Sequence, residues 1–544
     1  MQRVGEWGMI GTAVILVGCG SEGGGIPWEG LNAGAGQAAS VTNQVSSPGK
    51  MGVGDIYQLL VEKDHHGVID FGEVDPDAEF LLSVLNLHAT GASGTVQLAG
   101  NLAAPSTGKT VTPVLEEGAV SDPADLFHGE LREIEAQMAE QPFEMLPNVG
   151  KGASQAPVPQ HGAVETFRVI AGLSATGDFV ERDGVLSCIT DRLLWYRDQE
   201  ILTTSPTAMS EAELDHLCRG FDASIAELVD LVGVSSDVNG DGRVTVFETP
   251  QVNRLGATGG GMVTGFFLAS DLYPRGPGNP SSNAREIIYT LTPDPSGIYG
   301  LRISRELALH NLLPAVLPHE LFHAILFHQH VLLRGGASEE DWLNEGLAHL
   351  TEDLVRVGIE NPSRYDLYLR RTSVHPIVTS HSPGLAERGG IFLFLRYLFE
   401  QHPERAEFLR TLVQTDLTGV ENLEQAYGSL DEGFDQFAEF FLRWSATLGL
   451  NDQGLTLDPS FRYQERVWDQ LAGEFSGVCT ICNAADGRNT LLGGVAPMPF
   501  GAETALSLRP ATQAYYRVSA AHRQITLATK DPSGHYGAVL MRTR

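Results

Sequence analysis

Residues 316–330 read Val-Leu-Pro-His-Glu-Leu-Phe-His-Ala-Ile-Leu-Phe-His-Gln-His, and inside them stands His319-Glu320-Leu321-Phe322-His323. On a helix, positions i and i+4 share a face, so the imidazoles of His319 and His323 can reach one metal ion. Glu320 lies beside that ion, where it can take a proton from a bound water. The flanks Leu317, Leu321, Phe322, Ile325, Leu326 and Phe327 suit a buried helix, in which two unpaired histidines would be costly. Pro318 is tolerated if the helix starts there, at its first turn. His328 and His330 read as residues of the fraying helix end. A third ligand decides between a metal site and histidines that meet by chance.

The same helix does not supply one: Leu326 and Gln329 stand where the metzincin arrangement needs Gly and His. After a turn at Arg334-Gly335-Gly336-Ala337-Ser338 comes Trp342-Leu343-Asn344-Glu345-Gly346-Leu347-Ala348-His349-Leu350-Thr351-Glu352-Asp353. This stretch resembles the gluzincin signature W-L-x-E-G-x-A. The resemblance implies that Glu345 is the third zinc ligand, brought antiparallel to the first helix, with water in an open fourth position. Both motifs together are similar to the hyicolysin-type secreted bacterial metallopeptidases, over about residues 164–475. His349 and Glu352 lie one and two turns beyond Glu345 on the same face. They read either as partners that orient a ligand or as an ordinary polar helix face.

The resemblance implies peptide hydrolysis, with zinc lowering the pKa of its water and Glu320 acting as general base. The oxyanion needs a further donor. Related families often place a Tyr before a helix start downstream of the third ligand. Here Glu387-Arg388-Gly389-Gly390-Ile391-Phe392-Leu393-Phe394 puts Arg388 at that place. Arg388 can donate hydrogen bonds but cannot deliver a proton; the other reading is a surface Arg at a helix start. His375, His381, Tyr365 and Tyr368 are alternative donors. Residues 391–399 are apolar on all sides and predict a buried helix behind the site.

Upstream, Asp237-Val238-Asn239-Gly240-Asp241-Gly242-Arg243-Val244-Thr245-Val246-Phe247-Glu248 fits a twelve-residue calcium loop. Asp237, Asn239, Asp241 and Glu248 hold the oxygen positions, and the Arg243 carbonyl the seventh. Ala223–Val232 can be the entering helix. Val244–Phe247 reads as a strand, and Pro250 opposes an exiting helix, so the loop joins a helix to a strand. The competing reading is a metal-free Asx turn.

The apolar run Met9–Val17 is too short to span a bilayer and predicts a signal peptide over 1–18. It ends in Leu16-Val17-Gly18-Cys19, which resembles a bacterial lipobox; the resemblance implies lipidation of Cys19. The alternative is an ordinary secretory signal. Of the five cysteines, this leaves Cys188, Cys218, Cys479 and Cys482, enough for two disulfides in an oxidising compartment. Cys479-Thr480-Ile481-Cys482 reads as a small disulfide loop.

The net charge of −32 disfavours a nucleic-acid partner and favours solubility and divalent cations. The texture predicts a tether over 19–50, a β-rich domain over 51–142 and a linker over 143–163. A metallopeptidase domain over 164–478 and a C-terminal β-rich domain over 479–544 follow. The expected class is α+β: a zincin-like domain, mixed sheet upstream and mainly helical downstream, between small β-rich domains. The expected function is zinc-dependent hydrolysis of extracellular proteins or peptides by an enzyme tied to the bacterial envelope through its lipid alone. The alternative is a catalytically inactive zinc-binding surface lipoprotein that acts as a binding or adhesion module.

Overall fold

The computed structural model describes residues 51–102, 123–141, 158–428, 436–482 and 491–544, except 62–65, 72–73, 92, 173–177, 205–208, 260, 466, 470–473, 502, 520–521 and 530–534, together with 39–40, 45–46, 48 and 50. The signal segment, Cys19 and residues 143–157 of the linker lie outside the described residues.

Four strands come first: β1 (Ile56–Val61), β2 (His66–Asp70), β3 (Glu79–Asn86) and β4 (Gly94–Leu102). Helix α1 (Pro123–Ala139) follows. Then come β5 (Val164–Ile170), β6 (Phe179–Ile189), β7 (Leu193–Asp198), α2 (Glu211–Val232), β8 (Val244–Glu248), β9 (Gly265–Phe267) and β10 (Ile287–Thr290). The helical part comprises α3 (Leu313–Phe327), α4 (Asp341–Leu354), α5 (Asn361–Arg370), α6 (Leu385–Gln401) and α7 (Gln436–Leu450), besides shorter helices. Four strands close the chain: β11 (Glu503–Leu508), β12 (Thr512–Ser519), β13 (His522–Thr529) and β14 (Tyr536–Arg542). The chain is α+β.

The central sheet runs β9-β10-β8-β7-β6-β5. β10, β8 and β7 are parallel, while β9 lies antiparallel to β10 at one edge. β8 is buried along its whole length, which explains its run Val-Thr-Val-Phe-Glu without polar alternation. α3 packs against α4, α2, β9 and β10.

The two terminal β segments do not form separate domains. β14 inserts between β1 and β3, and β12 pairs with β3 on its other side; β13 lies between β4 and β2, and β11 pairs with β4. One sandwich is thus built from both ends of the chain, which corrects the expectation of an N-terminal and a C-terminal β domain. Strand β3 shows why the pairing is stable. Phe80, Leu82 and Val84 enter the sandwich core, whereas Leu81 and Leu85 face the helical body. A strand buried on both faces needs apolar residues at successive positions. On the helical side, the Ser445 hydroxyl of α7 donates to the Ser83 hydroxyl (2.7 Å).

The helices around the site approach closely at two glycines. A Cβ at Gly346, the residue after Glu345 on α4, would lie 2.3 Å from Ile391 Cγ2 of α6. A Cβ at Gly389 on α6 would lie 2.3 Å from the Arg364 backbone of α5. Gly346→Ala is expected to cost about 1–3 kcal/mol through overpacking, seen as a lower midpoint of thermal unfolding. An unchanged midpoint would show that α6 yields freely.

Candidate metal centre

Helix α3 starts at Leu313, behind a π-turn at Ala308–Leu312. Pro318 is therefore inside the helix, not in its first turn as expected. Nearly every residue of α3 is buried, so tertiary packing offsets the hydrogen bond that Pro318 cannot donate. Beyond α3 the chain does not fray: His328 and His330 are buried in a second π-turn. They contact backbone carbonyls of Val234 (3.0 Å) and Leu412 (3.2 Å) and stay away from the cluster.

The His319 and His323 rings stand 4.6 Å apart and nearly perpendicular. Both turn Nε2 toward Glu345 on α4, His319 at 3.4 Å from Oε2 and His323 at 3.8 Å from Oε1. Glu345 is fully buried, and neither its carboxylate oxygens nor His323 Nε2 has a hydrogen-bond partner. Ligand atoms of the three residues lie within 4.8 Å of one another. Three convergent residues with metal-ligating atoms in a buried place can hold a metal ion.

The opposite ring nitrogens are tied down. His319 Nδ1 donates to Glu352 Oε1 (2.6 Å) and His323 Nδ1 to Asn344 Oδ1 (2.7 Å). Each bond places the proton on Nδ1 and leaves the Nε2 lone pair for a metal. His349 Nδ1 donates to the same Glu352 oxygen (2.9 Å). His319, His349 and Glu352 also come within 4.8 Å, but both imidazoles there spend Nδ1 on the carboxylate. That group orients His319, and Glu352 and His349 are more than a polar helix face. Glu352→Ala is expected to lower metal affinity roughly 10–100-fold, measured by competition with a chromophoric chelator. Unaltered affinity would reduce Glu352 to a packing role.

Burial alone would raise the Glu345 carboxyl, yet Arg388 and the two histidines hold it well below the carboxylate range. Arg388 Nη1 stands 3.2 Å from Glu345 Oε2, and its Nε donates to the Pro383 carbonyl (2.9 Å). Arg388 is thus a buried member of the site rather than a surface residue. Burial pushes His323 well below its ordinary value. His319 is pushed up to about 9, because Glu345 and Glu352 outweigh its burial. A metal must displace that proton, so binding strengthens as pH rises. Burial raises Glu320, whose Oε2 accepts the Phe267 N–H of edge strand β9 (2.9 Å).

One element had no counterpart in the expected site. α1, assigned by sequence to the N-terminal β-rich domain, lies in the centre. Arg132 pairs with Glu135 (2.8 Å), and its Nε is 3.9 Å from Glu345 Oε1. Glu135 Oε2 accepts from Asn344 Nδ2 (3.2 Å). Phe127 meets Phe266 of β9 edge to face at 5.4 Å. His128 joins His319, Glu320, His349, Glu352 and Arg388 in lining a cavity of about 450 Å³. Phe127 and Leu131 stand at i, i+4 on α1 and are buried, but nothing local to 123–139 names their partner.

The other expected donors are engaged elsewhere. The Tyr365 hydroxyl donates to the Cys479 carbonyl, and the Tyr368 hydroxyl accepts from Gln513. His375 and His381 do not line the cavity. Disulfides join Cys188 to Cys218 and Cys479 to Cys482. In the Asp-rich loop, Glu248 is misassigned. It lies buried in β8, where it accepts from Arg197 Nε (3.1 Å) and the Thr292 hydroxyl (2.8 Å). A strand carries the side chain away from the loop. A helix, Pro250–Gly259, does follow, because proline is compatible with a helix start.

Compared with protein-family models and with curated proteins, the chain matches none.

Proposed function

We propose that the chain is a gluzincin-type, zinc-dependent metallopeptidase that hydrolyses peptide bonds in extracellular proteins, held at a bacterial envelope by a lipid on Cys19. The observation that carries this reading is the meeting of His319 Nε2, His323 Nε2 and Glu345, with both imidazoles tied from behind by Glu352 and Asn344. Two neutral imidazoles and one carboxylate are a zinc donor set. When bound, zinc would supply a Lewis acid and a water of lowered pKa.

Glu320 is the general base. The Phe267 N–H fixes one of its oxygens, and its buried position favours proton uptake. It takes the proton of the attacking water and returns it to the leaving amine. Arg388 is a fixed cation that can donate to an oxyanion, but it has no proton to deliver. β9, the edge of the central sheet, lies beside Glu320.

The inactive zinc-binding lipoprotein has one observation on its side: Arg132 and Arg388 bring two guanidinium groups to the third ligand. Elemental analysis of residues 20–544, with turnover of an unfolded protein before and after chelation, separates the readings. One zinc per chain and chelator-sensitive hydrolysis are expected. Zinc without turnover would select the inactive reading, and absence of zinc would sink both.

A further inference from the structure

The loop between α2 and β8 has the backbone of an ion-binding turn but lacks its last ligand. Asp237 Oδ1 accepts the Gly242 N–H (3.0 Å), Asn239 Oδ1 the Asp241 N–H (3.2 Å), and Asp241 Oδ1 the Arg243 N–H (2.8 Å). Gly240 and Gly242 take φ of 74° and 69°, a region glycine enters without strain. Calcium takes six to eight oxygens, among them a bidentate carboxylate. Glu248 cannot provide it, because Arg197 and Thr292 occupy its oxygens inside the sheet.

A different carboxylate sits beside the loop. Glu286 directly precedes β10, and its carbonyl accepts the Thr245 N–H of β8 (2.8 Å). Its Oε1 accepts the N–H of Val238, the second loop residue (2.9 Å). Its Oε2 has no hydrogen-bond partner although the residue is 1% exposed. Ser236 lies close by without forming a sound bond. No cation among the described residues forms an ion pair with Glu286. A buried carboxylate oxygen that accepts no hydrogen bond, beside a loop that carries Asp237 and Asp241, is costly unless a cation or a proton compensates it.

We propose that Asp237, Asn239, Asp241 and the Arg243 carbonyl form a calcium site completed by Glu286 from the neighbouring strand, in place of Glu248. The three carboxylates do not lie within 4.8 Å of one another as the chain stands. The ion has to draw the loop onto Glu286, and the two glycines give it the freedom to do so. Once closed, the site would fasten the end of α2 to β8 and β10. The site is structural and independent of the catalytic reading.

The test is calorimetric titration of the EDTA-treated full chain with calcium chloride, with the thermal midpoint followed alongside. Wild type is expected to bind one calcium and to rise in midpoint with saturation. Glu286→Gln and Asp241→Asn should each weaken binding at least tenfold. Glu248→Gln should keep calcium affinity within about threefold, whatever it does to stability. Circular dichroism establishes that each variant is folded; should Glu286→Gln fail to fold, Asp241→Asn and Glu248→Gln still decide. Loss of affinity in Glu248→Gln with none in Asp241→Asn would overturn the proposal. So would unchanged affinity in folded Glu286→Gln, or no binding by wild type at millimolar calcium.

Discussion

Glu320→Gln is expected to keep the metal and to lose hydrolysis, with kcat/KM down by about 10²–10⁴-fold, the usual worth of a general base. Gln has almost the same volume, and its amide oxygen can still accept the Phe267 N–H, so β9 and α3 stay in register. The fold should not suffer. Burial raises the Glu320 carboxyl, so folding favours its protonated form, and a neutral amide is no worse in that position at neutral pH. Metal affinity should change little, because His319, His323 and Glu345 are the convergent donors. Metal content, thermal midpoint and turnover together make the experiment specific. Full activity in a zinc-loaded Glu320→Gln would eliminate the mechanism, while joint loss of metal and activity would make Glu320 a structural residue.

Glu345→Ala should act on two quantities at once. A partner that merely orients a ligand is worth roughly 10–100-fold in metal affinity; removing the ligand itself should cost more than that. In addition, Glu345 is the carboxylate beside both Arg388 and Arg132. Removing one member of a buried charge cluster costs about 3–5 kcal/mol, because the remaining charges lose their compensation. The metal-free variant should therefore unfold at a lower temperature. Adding Arg388→Met should recover part of that stability but none of the metal affinity, since only one effect is electrostatic. Equal metal affinity in Glu345→Ala would remove Glu345 from the ligand set.

The centre was legible to different depths. His319, Glu320 and His323 share one helical turn pattern that spacing alone reveals, whereas Glu345 was picked out by the resemblance of a second compact motif. Glu352 was only half legible, and Asn344 was missed. Their positions on the Glu345 helix could be counted, but not the ring nitrogen each would meet. Arg388 could be placed near the third ligand by resemblance, and its burial could not. α1 was invisible to this kind of reading. Glu135 contacts Asn344 across more than two hundred residues, and no periodicity records a contact of that range. Pro318 shows the converse error: a local rule placed it in the first turn, and core packing overrode it.

By itself, the sequence determined what can be encoded within a few turns of chain. That includes the i, i+4 spacing of His319 and His323 with Glu320 between them, the buried character of α3 and α6, and the turn at Asp237–Gly242. Each depends on contacts between near neighbours, which the repeat of a helix or the geometry of a turn sets in advance. The tertiary structure alone decided the pairing of β3 with β12 and β14 into one sandwich, and the seating of α1 beside Glu345. It also took Glu248 into the sheet and brought Glu286 to the loop. The reason is physical: buried charges and strand edges are satisfied by whatever the collapsed core brings near, and burial rather than spacing selects that partner.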